Sequence, residues 1–228
     1  MLKRKIFIVF GFLILAFLAF MLIFGDLGGF VSAIFRNPKS MGAATPSSSF
    51  LAKKITKNIM AKDAPLKILE VGAGTGVFTQ EIINKIGQND IVDVIEIDYG
   101  LCEILNKKFK NNKNVNIHCV SILDWEPGYK YDFIVSGLPF NAFDSFFVSN
   151  ILEKFKNIII DNGVLSYFEY ALAGKTKKLF LFGDEKLDLI NNIKMRKEFL
   201  KKFEFDRDLI FLNFPPAYVY HLKIVKNS

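Results

Sequence analysis

The stretch Lys67-Ile68-Leu69-Glu70-Val71-Gly72-Ala73-Gly74-Thr75-Gly76-Val77 decides the fold. A short apolar run that ends at glycines reads as a buried strand, and Val77, Phe78, Ile82 and Ile83 then repeat at helical spacing. Strand, glycine turn and helix in that order form a unit in which the backbone bends sharply and comes close to a ligand. The alternation continues outward. Apolar runs at 91–95, 115–120, 133–136 and 164–168 read as further buried strands, and Leu101, Ile104, Leu105 and Phe109 mark a helix between two of them. Strands separated by helical crossovers give an α/β fold with a parallel sheet, whose ligand lies beyond the carboxyl ends of the strands. A polar helix over 186–202 and strands at 205–212 and 218–225 follow. The short link Asn213-Phe214-Pro215-Pro216 makes those two strands antiparallel neighbours.

The glycine pattern discriminates between cofactors. A dinucleotide site wants a third glycine where this chain has Val77. Glu96 stands about twenty residues past the glycines, at the end of the second strand, where a carboxylate accepts from both hydroxyls of a ribose. Together these features make S-adenosylmethionine (SAM) the expected cofactor. Its expected cradle is Glu70, Gly72, Ala73, Gly74, Thr75 and Gly76, with Glu96 and Ile97 after the second strand. Ser121 stands where many SAM enzymes carry an Asp for the adenine amino group, with Ile122 beside it and Asp124 as the alternative. Ser136 and Gly137 at the fourth strand's end, and Ser49 and Leu51 ahead of the sheet, complete the set. Asp98 reads as a helix N-cap and Trp125 as a core aromatic.

At 228 residues the chain holds one domain of ordinary size plus an appendage. Its 51% hydrophobic content and 25 Phe have a local source: residues 6–25 carry no charge, follow Lys3, Arg4 and Lys5, and end at Asp26. As a helix this run is roughly 30 Å long, enough to cross a hydrocarbon core. It exceeds the apolar stretch of about 7 to 15 residues in a cleaved signal peptide, so a retained membrane anchor is expected. The expected organisation is an anchor at 1–29, interfacial and N-terminal helices at 30–64 including a basic helix over 50–62, and a catalytic domain at 65–228. The net charge of +7 suits anionic headgroups, nucleic acid or a solvated surface alike. Cys102 and Cys119 lack metal-ligand spacing and read as unpaired, buried residues of a reduced domain, and no metal is expected. His118 and His221 lie in strands without an apparent partner. Cations flank the apolar run on both sides, so orientation follows from the cytosolic cofactor: the domain is expected to face the cytoplasm.

Ser136-Gly137-Leu138-Pro139-Phe140-Asn141 follows the fourth strand, the place in such folds that faces the transferred methyl group. It resembles the Asn-Leu-Pro-Tyr motif of ribosomal RNA adenine dimethylases, with Gly137 where those enzymes carry Asn. The chain is similar throughout to bacterial phospholipid N-methyltransferases, relatives of the dimethylases that have Ser-Gly-Leu-Pro here. The likeness recurs at Arg36-Asn37-Pro38-Lys39-Ser40-Met41-Gly42-Ala43, at Pro46-Ser47-Ser48-Ser49 and at Asn213-Phe214-Pro215-Pro216-Ala217.

This resemblance implies a class I SAM-dependent methyltransferase (Rossmann-like) sheet, mostly parallel with a C-terminal antiparallel hairpin, behind an N-terminal transmembrane or monotopic helix. It implies stepwise N-methylation of phosphatidylethanolamine toward phosphatidylcholine at the bacterial inner membrane. Leu138, Pro139 and Phe140 would shape the acceptor pocket. Tyr167, Glu169 and Tyr170 would offer proton-acceptor or headgroup contacts, and Lys175, Lys177 and Lys178 face lipid phosphate or solvent. The expected partners are a phospholipid membrane and a phosphatidylethanolamine-like substrate, not nucleic acid. Two other readings stand beside this one: methylation of RNA adenine or of a small quinone-like molecule, and a non-enzymatic membrane adaptor that kept the fold.

Overall fold

The computed structural model describes residues 49–60, 62, 64–171, 183–211, 213 and 216–226. The expected anchor at 6–25, the motif at 36–43, and Lys175, Lys177 and Lys178 lie outside the described residues. Among those described, no helix is long and apolar enough to cross a membrane.

In chain order the elements are α1 (Ser49–Ile55), β1 (Lys67–Val71), α2 (Val77–Ile83), β2 (Ile91–Glu96), α3 (Tyr99–Phe109), β3 (Val115–Cys119), β4 (Tyr131–Ser136), α4 (Ser145–Ile158), β5 (Ile159–Tyr170), α5 (Gly183–Phe203), β6 (Glu204–Ile210) and β7 (Ala217–Ile224). The strands form one sheet in the order β3-β2-β1-β4-β5-β7-β6. The first five pair in parallel, while β7 is antiparallel to both β5 and β6. The order reverses between β1 and β4, which opens a crevice at the carboxyl ends of those strands.

Period-two alternation splits the core. Ile68, Val94, Phe133 and Phe168 face α1, α2 and α3, whereas Leu69, Val71, Ile134 and Leu165 face α4 and α5. Burial on both faces explains why these strands read as continuous apolar runs.

Helix α1 is shorter than the basic helix expected over 50–62. It stops at Ile55, where the Thr56 hydroxyl donates to the Ala52 carbonyl at 2.7 Å and the chain turns away. Lys54 pairs with Asp208 at 3.0 Å, and Lys57 pairs with Asp206 at 2.5 Å and with Asp208. These pairings run α1 antiparallel to β6, so Ser49 lies at the rim formed by the strands' carboxyl ends.

Three sequence expectations are corrected by contacts between distant segments. His221 has partners: Ser166 Oγ meets its Nδ1 at 2.8 Å and Asp208 faces its Nε2 at 3.4 Å. His118 meets Asp93 at 2.9 Å and stacks on Trp125 with ring centroids 4.1 Å apart. Asp93 also accepts from Tyr129 at 2.6 Å and Tyr131 at 2.8 Å. Burial pushes the Asp93 carboxyl up, but the bonds from Tyr129, His118, Tyr131 and Asn116 outweigh it and hold it below its ordinary value. The return from α3 into β3 brings Cys102 and Cys119 together rather than leaving them apart, with their Cα atoms 6.0 Å from each other, and Cys119 is exposed rather than buried.

Candidate active site

The glycine loop leaves β1 at the sheet's centre. Gly72 continues the ladder, its N–H donating to the Ile95 carbonyl at 2.8 Å. Gly76 begins α2 at φ 76°, and a Cβ there would stand 2.6 Å from the Phe109 ring, so only glycine lets α2 pack on α3. Between them, Gly74 donates to Glu96 Oε2 at 2.8 Å, and no protein atom lies within 4 Å of where its Cβ would project.

Glu96 ends β2 with its carboxylate turned toward this loop. Oε1 accepts from the N–H groups of Ile97 at 2.8 Å and Asp98 at 3.1 Å. Burial raises the carboxyl pKa, and the N–H groups of Asp98, Gly74 and Ile97 pull it back. Asp98 caps α3 as expected, accepting from Leu101 N–H at 2.9 Å. Lys108, near the end of α3, donates to the carbonyls of Thr75 and Gly76 at 2.9 and 3.1 Å. Sequence reasoning missed this clasp, since a lysine in a last helical turn is ordinary.

Several expected cofactor contacts sit behind the crevice rather than in it. Glu70 is fully buried on the opposite side of β1 from Val71, facing α2. The Thr79 hydroxyl and amide lie near it without closing a well-formed hydrogen bond. Burial pushes the Glu70 carboxyl up to about 8, so it is largely protonated at neutral pH. Leu51 is buried in the core because α1 turns Leu51 and Ile55 toward the sheet. Ile122 is buried beneath the loop after β3, where Ser121 Oγ accepts from Leu123 N–H at 3.2 Å. Asp124 is exposed, and Trp125 donates to the Tyr131 hydroxyl at 3.0 Å.

The loop after β4 closes the other wall. Gly137 N–H donates to the Val71 carbonyl at 2.8 Å, and a Cβ at 137 would stand 2.5 Å from the Gly72 carbonyl oxygen. No side chain fits between these two loops without moving backbone. Ser136 Oγ accepts from Leu138 N–H at 3.3 Å, and the Leu138 side chain lies over Gly72. Leu138 and Pro139 are half-buried at the crevice. Phe140 is not at its surface: it is fully buried, 5.1 Å from the Tyr167 ring, so both form the wall's backing.

The candidates on β5 separate by strand alternation. Tyr167 faces α4 and α5, and burial holds its hydroxyl well above pKa 10, which makes it a neutral phenol rather than a proton acceptor. Tyr170 packs beside Phe168 on the other face of the sheet. Glu169 is paired with Arg196 of α5. Arg196 also donates to Asn192 Oδ1 at 2.6 Å, and Asn192 donates to the carbonyls of Phe143 at 2.8 Å and Phe140 at 3.2 Å. This buried relay holds the acceptor loop from behind, and no sequence motif announced it.

Open space before Gly74, a carboxylate at the end of β2 with one acceptor site left on Oε2, and the close-packed Gly72, Gly76 and Gly137, which admit no Cβ, form a cradle that fits an adenosyl ligand. Residues 37–169 match the ribosomal RNA adenine dimethylase family. The chain belongs to that family. An ornithine lipid N-methyltransferase of Singulisphaera acidiphila is 26% identical over 143 residues, covering 60% of this chain and 74% of that protein. Ribosomal RNA small subunit methyltransferase A of Mesomycoplasma hyopneumoniae is 31% identical over 206 residues, covering 72% of this chain and 75% of its own. Among solved structures, the N-methyltransferase NodS from Bradyrhizobium japonicum, in complex with S-adenosyl-L-homocysteine, superposes with a TM-score of 0.60. It shares 13% identity and covers 82% of this chain and 92% of that one, a likeness of fold. Like its dimethylase relatives, this protein is a SAM-dependent methyltransferase with a class I Rossmann-like sheet, and SAM is its cofactor.

Proposed function

We propose that this methyltransferase acts on the amine of a membrane lipid headgroup, converting phosphatidylethanolamine stepwise toward phosphatidylcholine. It would work from a cytoplasm-facing domain held at the bacterial inner membrane by residues 6–25. The observation that carries this reading is Gly137. The dimethylase motif places a carboxamide at this position, but here the backbone approach to Gly72 leaves no room for any side chain. A site without that carboxamide lacks its hydrogen-bond partner for an adenine amino group. The lipid N-methyltransferase relative supports an amine on a lipid as the acceptor.

On this reading Gly72, Ala73, Gly74, Thr75, Gly76, Glu96 and Ile97 hold SAM, with Ser49, Ser121, Ser136 and Gly137 at its margins. SAM supplies an electrophilic methyl group on a sulfonium. Leu138 and Pro139 present an apolar wall, which disfavours an ammonium and so favours the neutral amine that can accept a methyl. Asn192 keeps that wall in place through the Phe140 and Phe143 carbonyls, so the chain contributes chiefly positioning. Glu169 is neutralised by Arg196, which leaves proton removal from the ammonium to water at the rim.

Expression in a bacterial host that makes no phosphatidylcholine, followed by lipid mass spectrometry, tests the proposal. Mono-, di- or trimethylated phosphatidylethanolamine is expected. Methyl groups in ribosomal RNA with unaltered lipids would favour the RNA reading instead.

A further inference from the structure

The rim around the crevice carries large apolar side chains that the fold leaves in water. Phe146 at the start of α4 is 76% exposed, Tyr99 at the start of α3 is 77% exposed, and Phe211 just past β6 is 75% exposed. Phe50 in the first turn of α1 and Leu187 in the second turn of α5 are 53% and 58% exposed. All five share one edge of the molecule. Tyr99, Phe146 and Phe211 follow the carboxyl ends of β2, β4 and β6. The α1 pairing with β6 puts Phe50 at the same edge, and the Ser145 amide bonded to Asp188 at 3.0 Å brings the start of α5 beside the start of α4. The opposite edge turns through Gln88, Asn89, Asn111 and Lys113, and there Met60 and Phe205 are exposed large apolar side chains.

Scattered apolar side chains are ordinary on a protein surface, but a set gathered about the mouth of a site needs a partner. We infer that this rim is a docking face for a lipid bilayer, and that it sets the crevice directly against the headgroup layer. Two observations choose the bilayer. The 48 residues before Ser49, which include the uncharged run at 6–25, join the fold at this rim. The exposed carboxylates among the aromatics, Asp144, Asp184 and Glu185, complement ammonium groups of zwitterionic headgroups rather than lipid phosphate. Phe and Leu side chains then sit at the acyl boundary while polar groups stay at headgroup level, as interfacial proteins arrange them. The inference rests on the lipid-acceptor reading for its purpose, although docking itself is measured separately.

The test uses the full chain reconstituted in vesicles of phosphatidylethanolamine and phosphatidylcholine with acyl chains brominated near the headgroup. Phe146→Trp and Phe211→Trp are expected to lose emission beyond the Trp125 background, and Lys113→Trp at the opposite edge is expected to lose none. The double variant Phe146→Asp/Leu187→Asp should methylate vesicle lipid about tenfold more slowly, the partition effect of removing large apolar contacts. Its rate on a dissolved short-chain lipid with the same headgroup should match the parent. Rim tryptophans that stay unquenched overturn the inference, including the case where blue-shifted emission shows them covered by protein instead. Quenching without methylation of either lipid would uphold docking and sink the acceptor reading.

Discussion

Arg196 donates its Nε hydrogen to the side-chain oxygen of Asn192 at 2.6 Å, one turn away on α5. That bond fixes the orientation of the Asn192 amide, whose hydrogens therefore face the Phe143 and Phe140 carbonyls of the acceptor loop. Asn192→Leu keeps the branching at Cγ and removes the hooks. The turnover number should fall about 100-fold, the cost of a small misplacement of reacting groups, while SAM affinity by calorimetry stays at the parent value. Arg196→Ala should also destabilise the protein by about 3 kcal/mol in urea unfolding, because it strands the partly buried Glu169 carboxylate.

Gly76 is the glycine of the loop that the packing tolerates least. Gly76→Ala combines a positive φ with a Cβ 2.6 Å from the Phe109 ring. A loss of about 1 to 3 kcal/mol in stability is expected, together with weaker SAM binding, since the start of α2 must move. Chemical denaturation and calorimetry read the two effects.

Glu96 organises the loop through Gly74 and offers the carboxylate for a ribose. Glu96→Ala should weaken SAM binding by about 10- to 100-fold, the range for hydrogen bonds to a charged group. An unchanged dissociation constant would remove Glu96 from the cofactor site.

Glu70 makes stability depend on pH in a specific direction. Its carboxyl ionises near 4.5 when unfolded and near 8 when folded. Between these values the unfolded chain has lost a proton that the folded chain keeps, so this group's contribution is complete below pH 4.5 and drains away as pH rises to 8. The difference in unfolding free energy between the parent and Glu70→Gln should shift by about 5 kcal/mol across that window and level off above it. A constant difference across the window would contradict a buried, protonated Glu70.

Much of the fold is legible in the sequence for one physical reason. Strands β1, β2 and β4 are covered on both faces, so they appear as apolar runs within a residue or two of their observed limits, while β3, at the sheet edge, is only partly covered. β5 starts earlier than its apolar run, at Ile159, because Asp161, Asn162 and Gly163 interrupt its apolar pattern and its register with β4 shifts between Tyr131 and Phe133. The loop glycines and Glu96 are readable because a tight turn at a strand end restricts residue type. What periodicity does not show is which side of the crevice wall a residue takes: Leu51 and Phe140 turn into the core, and Glu70 turns behind the loop. Nor does it show pairs distant in sequence, such as Lys57 with Asp208, His118 with Asp93, or Glu169 with Arg196. Those pairs exist only once the sheet order brings their strands and helices together.

Purified full-length protein, supplied with methyl-labelled SAM and offered phosphatidylethanolamine vesicles and ribosomal RNA side by side, tests the central claim most directly. The account predicts label in the lipid fraction, growing through one, two and three methyl groups, and none in the RNA. Label confined to RNA, or absent from both while SAM binds, would contradict it.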